Sequence, residues 1–321
     1  MRFELTADQR DFARSLDALV TASDPVGIAR AWADGDTGPG LKLWQRIAEQ
    51  GVPALLVPEE YGGMGATPVE MVIAFEALGR HAVTGPWVET AAYLPAALAD
   101  EAALGAIAEG AVATVAAPPH TPYALDADIA SQVYAADGES LWSAAVSEAQ
   151  RPSVDRTRRL FAVTSGAALP ASDLAHAFDL AALATAAQLL GAGERVLADS
   201  VTYVKQRRQF GREIGSYQAV KHKLADVRIA LDFARPLALG AALDPTPLSV
   251  SAAKVACSDA AYLASRSGLQ VHGAIGYTQE FDLSIWLTRI RALVTAWGTP
   301  AFHRARVLES VTAPTAGAED R

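Results

Sequence analysis

The chain has 321 residues, 51% of them hydrophobic, enough to bury a sizeable core as one large domain or two to three packed ones. Its net charge of −9 argues against a general nucleic-acid surface, which needs clustered Lys and Arg. A single cysteine, Cys257, rules out an intrachain disulfide. It sits in an Ala-rich helical pattern and reads as a small buried hydrophobe.

The segment Met1-Arg2-Phe3-Glu4-Leu5 runs straight into charged residues, and no uninterrupted apolar run is long enough to span a bilayer. The expectation is a cytoplasmic protein without a membrane anchor. Thr6 and Gln9 have capping-box spacing, and Phe12, Leu16 and Leu19 recur on one helical face. A second helix around Leu43 to Gln50 stops at Gly51, where Val52-Pro53-Ala54-Leu55-Leu56-Val57-Pro58-Glu59-Glu60-Tyr61-Gly62-Gly63 forms a non-helical crossing. Helical patterns resume at Val69 to Arg80 and continue brokenly to Gly110, giving an N-terminal helical domain over 1–110.

From Ala111 the pattern changes to short β-compatible runs, at Ala111 to Val115, Ile129 to Tyr134, Ser140 to Val146 and Leu160 to Val163, separated by Pro, Asp, Gly and Ser. This is a small β domain over 111–168, too short for a full barrel with its own ligand cavity. The polar run from Arg151 to Arg159 reads as its connecting loop. Helices return after Pro170: Leu189, Gly193, Leu197 and Val204 share one face, as do Val220, Leu224, Val227 and Leu231. A third helix from Leu248 to Leu269 is rich in Ala, Ser and Gly, and Phe302 to Leu308 would close a four-helix bundle over 169–312. The tail, 313–321, lacks periodicity and is expected to be disordered.

The six histidines are scattered without an i,i+4 pair, there is no Gly-x-Ser-x-Gly elbow and no P-loop, so metal, hydrolase and NTPase readings have little support. Trp286 and Trp297 read as core or interface aromatics. Arg207 ends a helix and can offer a planar donor fork to a diphosphate, with Phe210 packing beside it; taken alone, Arg207 and Arg208 read first as a solvated helix end. Gly273 and Gly276 let backbone pass close to a ligand and Gln270 can supply an amide, although a lone Gly-x-x-Gly is usually a helix C-cap and turn.

Three stretches carry a more specific signal. Tyr203-Val204-Lys205-Gln206-Arg207-Arg208-Gln209-Phe210-Gly211, then Tyr217-Gln218-Ala219-Val220-Lys221-His222-Lys223-Leu224-Ala225-Asp226, then Leu269-Gln270-Val271-His272-Gly273-Ala274-Ile275-Gly276-Tyr277 strongly resemble the acyl-CoA dehydrogenase family. Val57 to Gly63 looks like the matching N-terminal signature. The resemblance covers nearly the whole chain except the middle insert. It implies a mainly α, acyl-CoA-dehydrogenase-like fold with a shortened middle β domain. It also implies that Arg207, Gln209, Phe210, Gln218, Gln270 and Gly273 serve the adenosine-diphosphate half of an FAD held by a neighbouring subunit.

The same resemblance marks two losses. The family's reaction removes a proton α to a thioester carbonyl while hydride leaves the β-carbon, so a carboxylate must reach the α-carbon. Where many members have that Glu, Thr295-Ala296-Trp297-Gly298-Thr299 places Trp297, which cannot take the proton but could plug the vacated pocket. The family's alternative position for the Glu falls at Ala181 and Ala182. Asp179, Glu280 and Asp282 lie near these places and read as capping or surface acids, with Asp179 kept as the outside candidate for a relocated base. In the middle domain, the flavin-cradling loop is replaced by Ala116-Ala117-Pro118-Pro119-His120-Thr121-Pro122. The resemblance therefore implies a subunit with no catalytic residue of its own, sharing FAD with a paralogous catalytic partner that binds most of the acyl-CoA. Such a complex resembles the α2β2 dehydrogenases of actinobacterial steroid catabolism, with an electron-transfer flavoprotein as a further possible partner. The alternatives are a self-sufficient homo-oligomeric dehydrogenase using an unconventional base and a cofactor-free scaffold.

Overall fold

The computed structural model describes residues 3–312; the tail expected to be disordered, 313–321, lies outside them. Helix α1 (Ala7–Thr21) begins at the expected capping box, with the Thr6 hydroxyl accepting from Gln9 N–H and the Gln9 side chain returning to Thr6 N–H. Helices α2 (Pro25–Ala33) and α3 (Gly38–Ala48) follow. Two 3₁₀ turns, Val52–Ala54 and Glu59–Tyr61, carry the Pro/Gly-rich crossing. It closes on Gly63, where a Cβ would lie 2.0 Å from the Val57 carbonyl oxygen. Helix α4 (Pro68–Arg80) has its own Thr67–Glu70 capping box and Pro68 in its first turn. A buried π-helical turn at Glu89–Tyr93 leads into α5 (Leu94–Ala97) and α6 (Glu101–Ala108).

The β region holds a four-stranded sheet in the order β1 (Ala113–Ala116), β3 (Gln132–Ala136), β4 (Leu141–Val146), β6 (Val163–Leu169). Only β1 and β3 pair in parallel. Strands β2 (Ala124–Leu125) and β5 (Leu160–Phe161) form a separate pair. Strand β6 extends past the expected end at Val163 through Ser165, Gly166, Ala167 and Ala168. These residues have little β propensity and are held in line by pairing with β4.

The run from Arg151 to Arg159 is a connecting loop whose second half is partly buried. Asp155, Thr157 and Arg159 are buried. The Arg289 guanidinium donates to Asp155, to Thr157 Oγ1 at 2.5 Å and to the Val83 carbonyl at 3.0 Å. Arg159 donates to Asp126 at 3.0 Å and to Asp128 at 2.6 Å. Buried charges persist only when paired, and this loop supplies half of each pair.

The C-terminal region is built on α7 (Leu174–Gln206), α8 (Gln218–Leu243), α9 (Pro247–His272), α10 (Leu283–Leu293) and α11 (Pro300–Thr312). Helix α10 has no counterpart in the sequence reading. Helix α7 is long and apolar enough by composition to cross a membrane, which the search for uninterrupted apolar runs missed. In the fold, 83% of its most apolar window is buried, because α4, α8, α9 and α10 surround it. Its crossing with α4 is backbone-close: a Cβ on Gly191 would lie 1.9 Å from the Glu76 carbonyl oxygen, and one on Gly79 2.1 Å from that of Gln188. Beside the crossing, Arg235 of α8 bridges Glu76 of α4 (2.6 Å) and Glu194 of α7 (3.0 Å), and Arg228 holds Glu194 at 2.6 Å.

Candidate functional site

Two regions hold the residues singled out by sequence. The first begins where α7 ends. Arg207 is the C-cap of α7, exposed and without an ion pair among the described residues. The chain then folds into a hairpin of β7 (Arg208–Gln209) and β8 (Arg212–Glu213), turned by Phe210 (φ 53°) and Gly211 (φ 83°). Positive φ at both central residues is the two-residue hairpin geometry that matches strand twist, and it is unusual for an aromatic. The turn leaves the Phe210 ring 92% exposed. Arg212 stacks 3.9 Å over the Tyr217 ring, whose hydroxyl donates to the Gln209 carbonyl, so the hairpin is braced from one side.

Gln209, Phe210 and Gln270 line one open cleft of about 460 Å³, with Ile214, Tyr217 and Lys223. Arg207, Gln218 and Gly273 do not line it. Gln218 opens α8 exposed to solvent, and Gly273 caps α9 with φ 64° and open space where a Cβ would be. Behind the cleft, His272 donates through Nδ1 to the Gly268 carbonyl (2.8 Å) and stacks on Tyr203, which fixes the end of α9. The cleft offers an exposed aromatic face, two side-chain amides and the Lys223 ammonium, with the Arg207 guanidinium outside its lining, a donor set suited to a base, a ribose and phosphates.

The second region is the α10–α11 turn. Trp297 is 1% exposed at φ 53°, followed by Gly298 at φ 99°. Its ring packs against Tyr93 (4.9 Å between centroids) and edge-on to Phe178 (6.2 Å). His303 holds the Trp297 carbonyl through Nε2 at 2.9 Å and Ser251 through Nδ1 at 3.0 Å; burial pushes this imidazole down to about 4. Lys254, fully buried, sends its ammonium to the carbonyls of Leu293 and Val294 (both 3.2 Å) and Gly298 (3.4 Å). Burial pushes it down to about 7. It is a lysine cap on the end of α10 and on the tryptophan turn together.

Asp179 is not a capping or surface acid: it is buried, and Arg306 donates to it at 2.7 Å. Arg306 also reaches Ser251. Ala181 and Ala182 are fully buried in α7. Of the other two acids, Asp282 pairs with Arg30 at the surface and Glu280 is exposed. A residue that sequence reasoning missed is Glu89, buried in the π-helical turn with neither carboxyl oxygen hydrogen-bonded. Burial pushes its carboxyl up, opposed by the Arg158 charge and by the nearby Trp297 indole N–H, which itself lacks a partner of normal geometry. The only sequence signal was a lone carboxylate inside Trp87-Val88-Glu89-Thr90-Ala91-Ala92-Tyr93. Among the described residues no group of three His, Cys, Asp or Glu side chains is placed to hold a metal ion.

Residues 6–101 match the acyl-CoA dehydrogenase N-terminal domain and residues 173–312 its C-terminal domain. The acyl-CoA dehydrogenase IpdE2 of Mycolicibacterium smegmatis is 34% identical over 300 residues, covering 92% of this chain and 96% of that protein. The chain belongs to the acyl-CoA dehydrogenase family. IpdE2 of Mycobacterium tuberculosis is 36% identical over 291 residues, covering 88% of this chain and 91% of its own. Among solved structures, a chain of the ChsE4–ChsE5 complex of Mycobacterium tuberculosis superposes with a TM-score of 0.83 at 21% identity, over 98% of this chain and 100% of that one. A glutaryl-CoA dehydrogenase of Mycobacterium smegmatis, solved in complex with FADH2, superposes with a TM-score of 0.82 at 18% identity, over 96% and 95%. These place the acyl-CoA dehydrogenase fold, and its mainly helical build around a small sheet, beyond the local motifs. The family is one of oxidoreductases whose members bind FAD.

Proposed function

We propose that this chain is the non-catalytic subunit of a heteromeric, FAD-dependent acyl-CoA dehydrogenase that desaturates a steroid-derived CoA thioester in the cytoplasm. The observation that carries the reading is Trp297. Where the reaction needs a carboxylate that can approach the substrate α-carbon, this chain packs an indole against Tyr93 and Phe178 and anchors its backbone through His303 and Lys254. A side chain so enclosed takes no proton and leaves no room for an acyl group. Asp179, the candidate for a relocated base, has its carboxylate engaged by Arg306, which removes support from the self-sufficient alternative.

FAD supplies the hydride acceptor of the family's reaction. This chain's contribution is to its ADP half: Arg207 as diphosphate donor, Phe210 as the ring that packs on it, and Gln209, Gln218, Gln270 and the open backbone at Gly273 as polar and close-approach contacts. The cofactor would be shared with a paralogous catalytic subunit that also binds most of the acyl-CoA, with an electron-transfer flavoprotein as electron acceptor. Assembly is supported by an apolar stripe on α8, where Ile229 (52%), Phe233 (72%) and Leu237 (45%) stand exposed at four-residue spacing. The steroid assignment rests on the likeness to the IpdE2 proteins and the ChsE4–ChsE5 complex.

The test is the visible spectrum and released FAD of the chain purified alone and co-expressed with a full-length paralogue that bears the catalytic Glu. A colourless chain that yields a yellow complex with about one FAD per pair is the expected result. Stoichiometric FAD in the isolated chain overturns the reading. A cofactor-free scaffold, in contrast, leaves both assembly and flavin content indifferent to substitution at Arg207 and Gln270.

A further inference from the structure

A second cleft, of about 430 Å³, opens between the shortened β region and the α10–α11 turn and shares no residue with the Phe210 cleft. Its walls include His120, Thr121, Tyr123, Arg158, Arg291 and Thr295, and no Asp or Glu. In a chain with 36 acidic residues against 27 basic ones, a concave surface with two arginines and no carboxylate is a local reversal of the overall charge.

Neither arginine is neutralised by contact. Among the described residues, Arg158 and Arg291 form no ion pair, whereas Arg156, Arg159 and Arg289 nearby are each matched to an aspartate. The carboxylates that feel the charge of Arg158 are Glu89 and Asp126, both enclosed behind the wall and outside the cleft lining, where burial favours their neutral forms. A second, independent observation comes from Thr121. It is 8% exposed, and its hydroxyl is buried without any hydrogen-bond partner, a costly state unless a ligand supplies one. Tyr123 and Leu160 add apolar surface to the same cleft.

We propose that this cleft binds a small molecule bearing a phosphate or carboxylate, its oxyanion held by Arg158, Arg291 and the Thr121 hydroxyl and its apolar portion lying on Tyr123 and Leu160. Guanidinium forks and a hydroxyl converging on one concavity match either oxyanion, and the volume suits a small organic ligand. The site would be a ligand position on a subunit that has no reaction of its own to perform there. It does not depend on the FAD-sharing reading, because it uses none of the residues at the Phe210 cleft.

The test is isothermal titration calorimetry of the full chain with pyrophosphate, coenzyme A and succinate. Binding of at least one probe is expected, weakened at least tenfold in Arg158→Gln/Arg291→Gln and several-fold in Thr121→Val, which keeps the side-chain shape. Affinity should also fall as salt is raised. A response to pyrophosphate or coenzyme A but not succinate assigns the phosphate, and the reverse assigns the carboxylate. The proposal is overturned if no probe binds at millimolar concentration. It is equally overturned if Arg291→Gln and Thr121→Val both bind as the parent does, or if Lys223→Gln abolishes binding, which would move the anion to the Phe210 cleft.

Discussion

At the scale of single residues, Trp297 is an aromatic built into the core at the α10–α11 turn. Its indole is among the largest fully buried side chains, so Trp297→Ala should cost about 3–5 kcal/mol in urea unfolding by opening a cavity among Tyr93, Phe178 and Glu89. Lys254 makes a prediction about pH. Its ammonium titrates at about 7 in the fold against 10.5 in the unfolded chain. Below about pH 7 both states hold the proton and the cost of burying the charge is fully present. Between the two values the unfolded chain holds more, so this group makes stability rise with pH across that window. Stability of the parent relative to Lys254→Met should therefore increase from about pH 6.5 to about pH 9.5; a difference that stays flat would contradict a buried, desolvated ammonium. Asp179→Asn keeps the shape but removes the charge facing Arg306. We expect lower stability, by up to about 3–5 kcal/mol, with turnover of the assembled enzyme unchanged per folded molecule.

At the scale of elements, the α4–α7 crossing sets how the N-terminal helices sit on the bundle. Helix propensity alone favours Gly→Ala by up to ~1 kcal/mol. At Gly191 the new methyl would meet the Glu76 carbonyl at 1.9 Å, so backbone must move. Gly191→Ala is expected to destabilise by about 1–3 kcal/mol. Gly105→Ala in α6 should stabilise by a few tenths to ~1 kcal/mol, because only the Tyr61 carbonyl lies near, at an ordinary 3.6 Å. Thermal unfolding of the two variants separates close approach from propensity. If both move in the same direction, the crossing is not backbone-limited.

At the scale of the whole molecule, Phe210 on the hairpin and Ile229, Phe233 and Leu237 on α8 are the exposed apolar groups on which the proposed assembly is tested. Arg207→Ala and Phe210→Ala should each lower the FAD retained by the co-expressed complex through gel filtration without changing the fold of this chain, since both side chains are solvent-facing. Phe233→Glu on α8 should instead release the chain from the complex, read as a shift in elution volume. Loss of flavin without dissociation in the first pair, and dissociation in the third, would separate cofactor contact from assembly.

Much of the fold was legible in sequence because its signals are local. The Thr6 and Thr67 capping boxes, the prolines opening helices, the Phe12–Leu16–Leu19 face and the glycines of the 52–63 crossing each specify structure within a few residues. The Arg207–Gly211 stretch was similarly readable as a helix end and turn, and Gln209, Phe210 and Gln270 do meet at one cleft. The sequence by itself determined that position 297 is a tryptophan and not a carboxylate, and that the chain is acidic with one thiol. Only the tertiary structure decided which charges are spent. Asp179 and Arg306 lie 127 positions apart, Arg289 and Asp155 134 apart, and Arg158 and Arg291 converge from different elements without an acid between them. Ion pairing and desolvation depend on distance and burial rather than on neighbouring residues. A carboxylate such as Glu89 or a cation such as Arg158 therefore has its character assigned only when the chain closes around it.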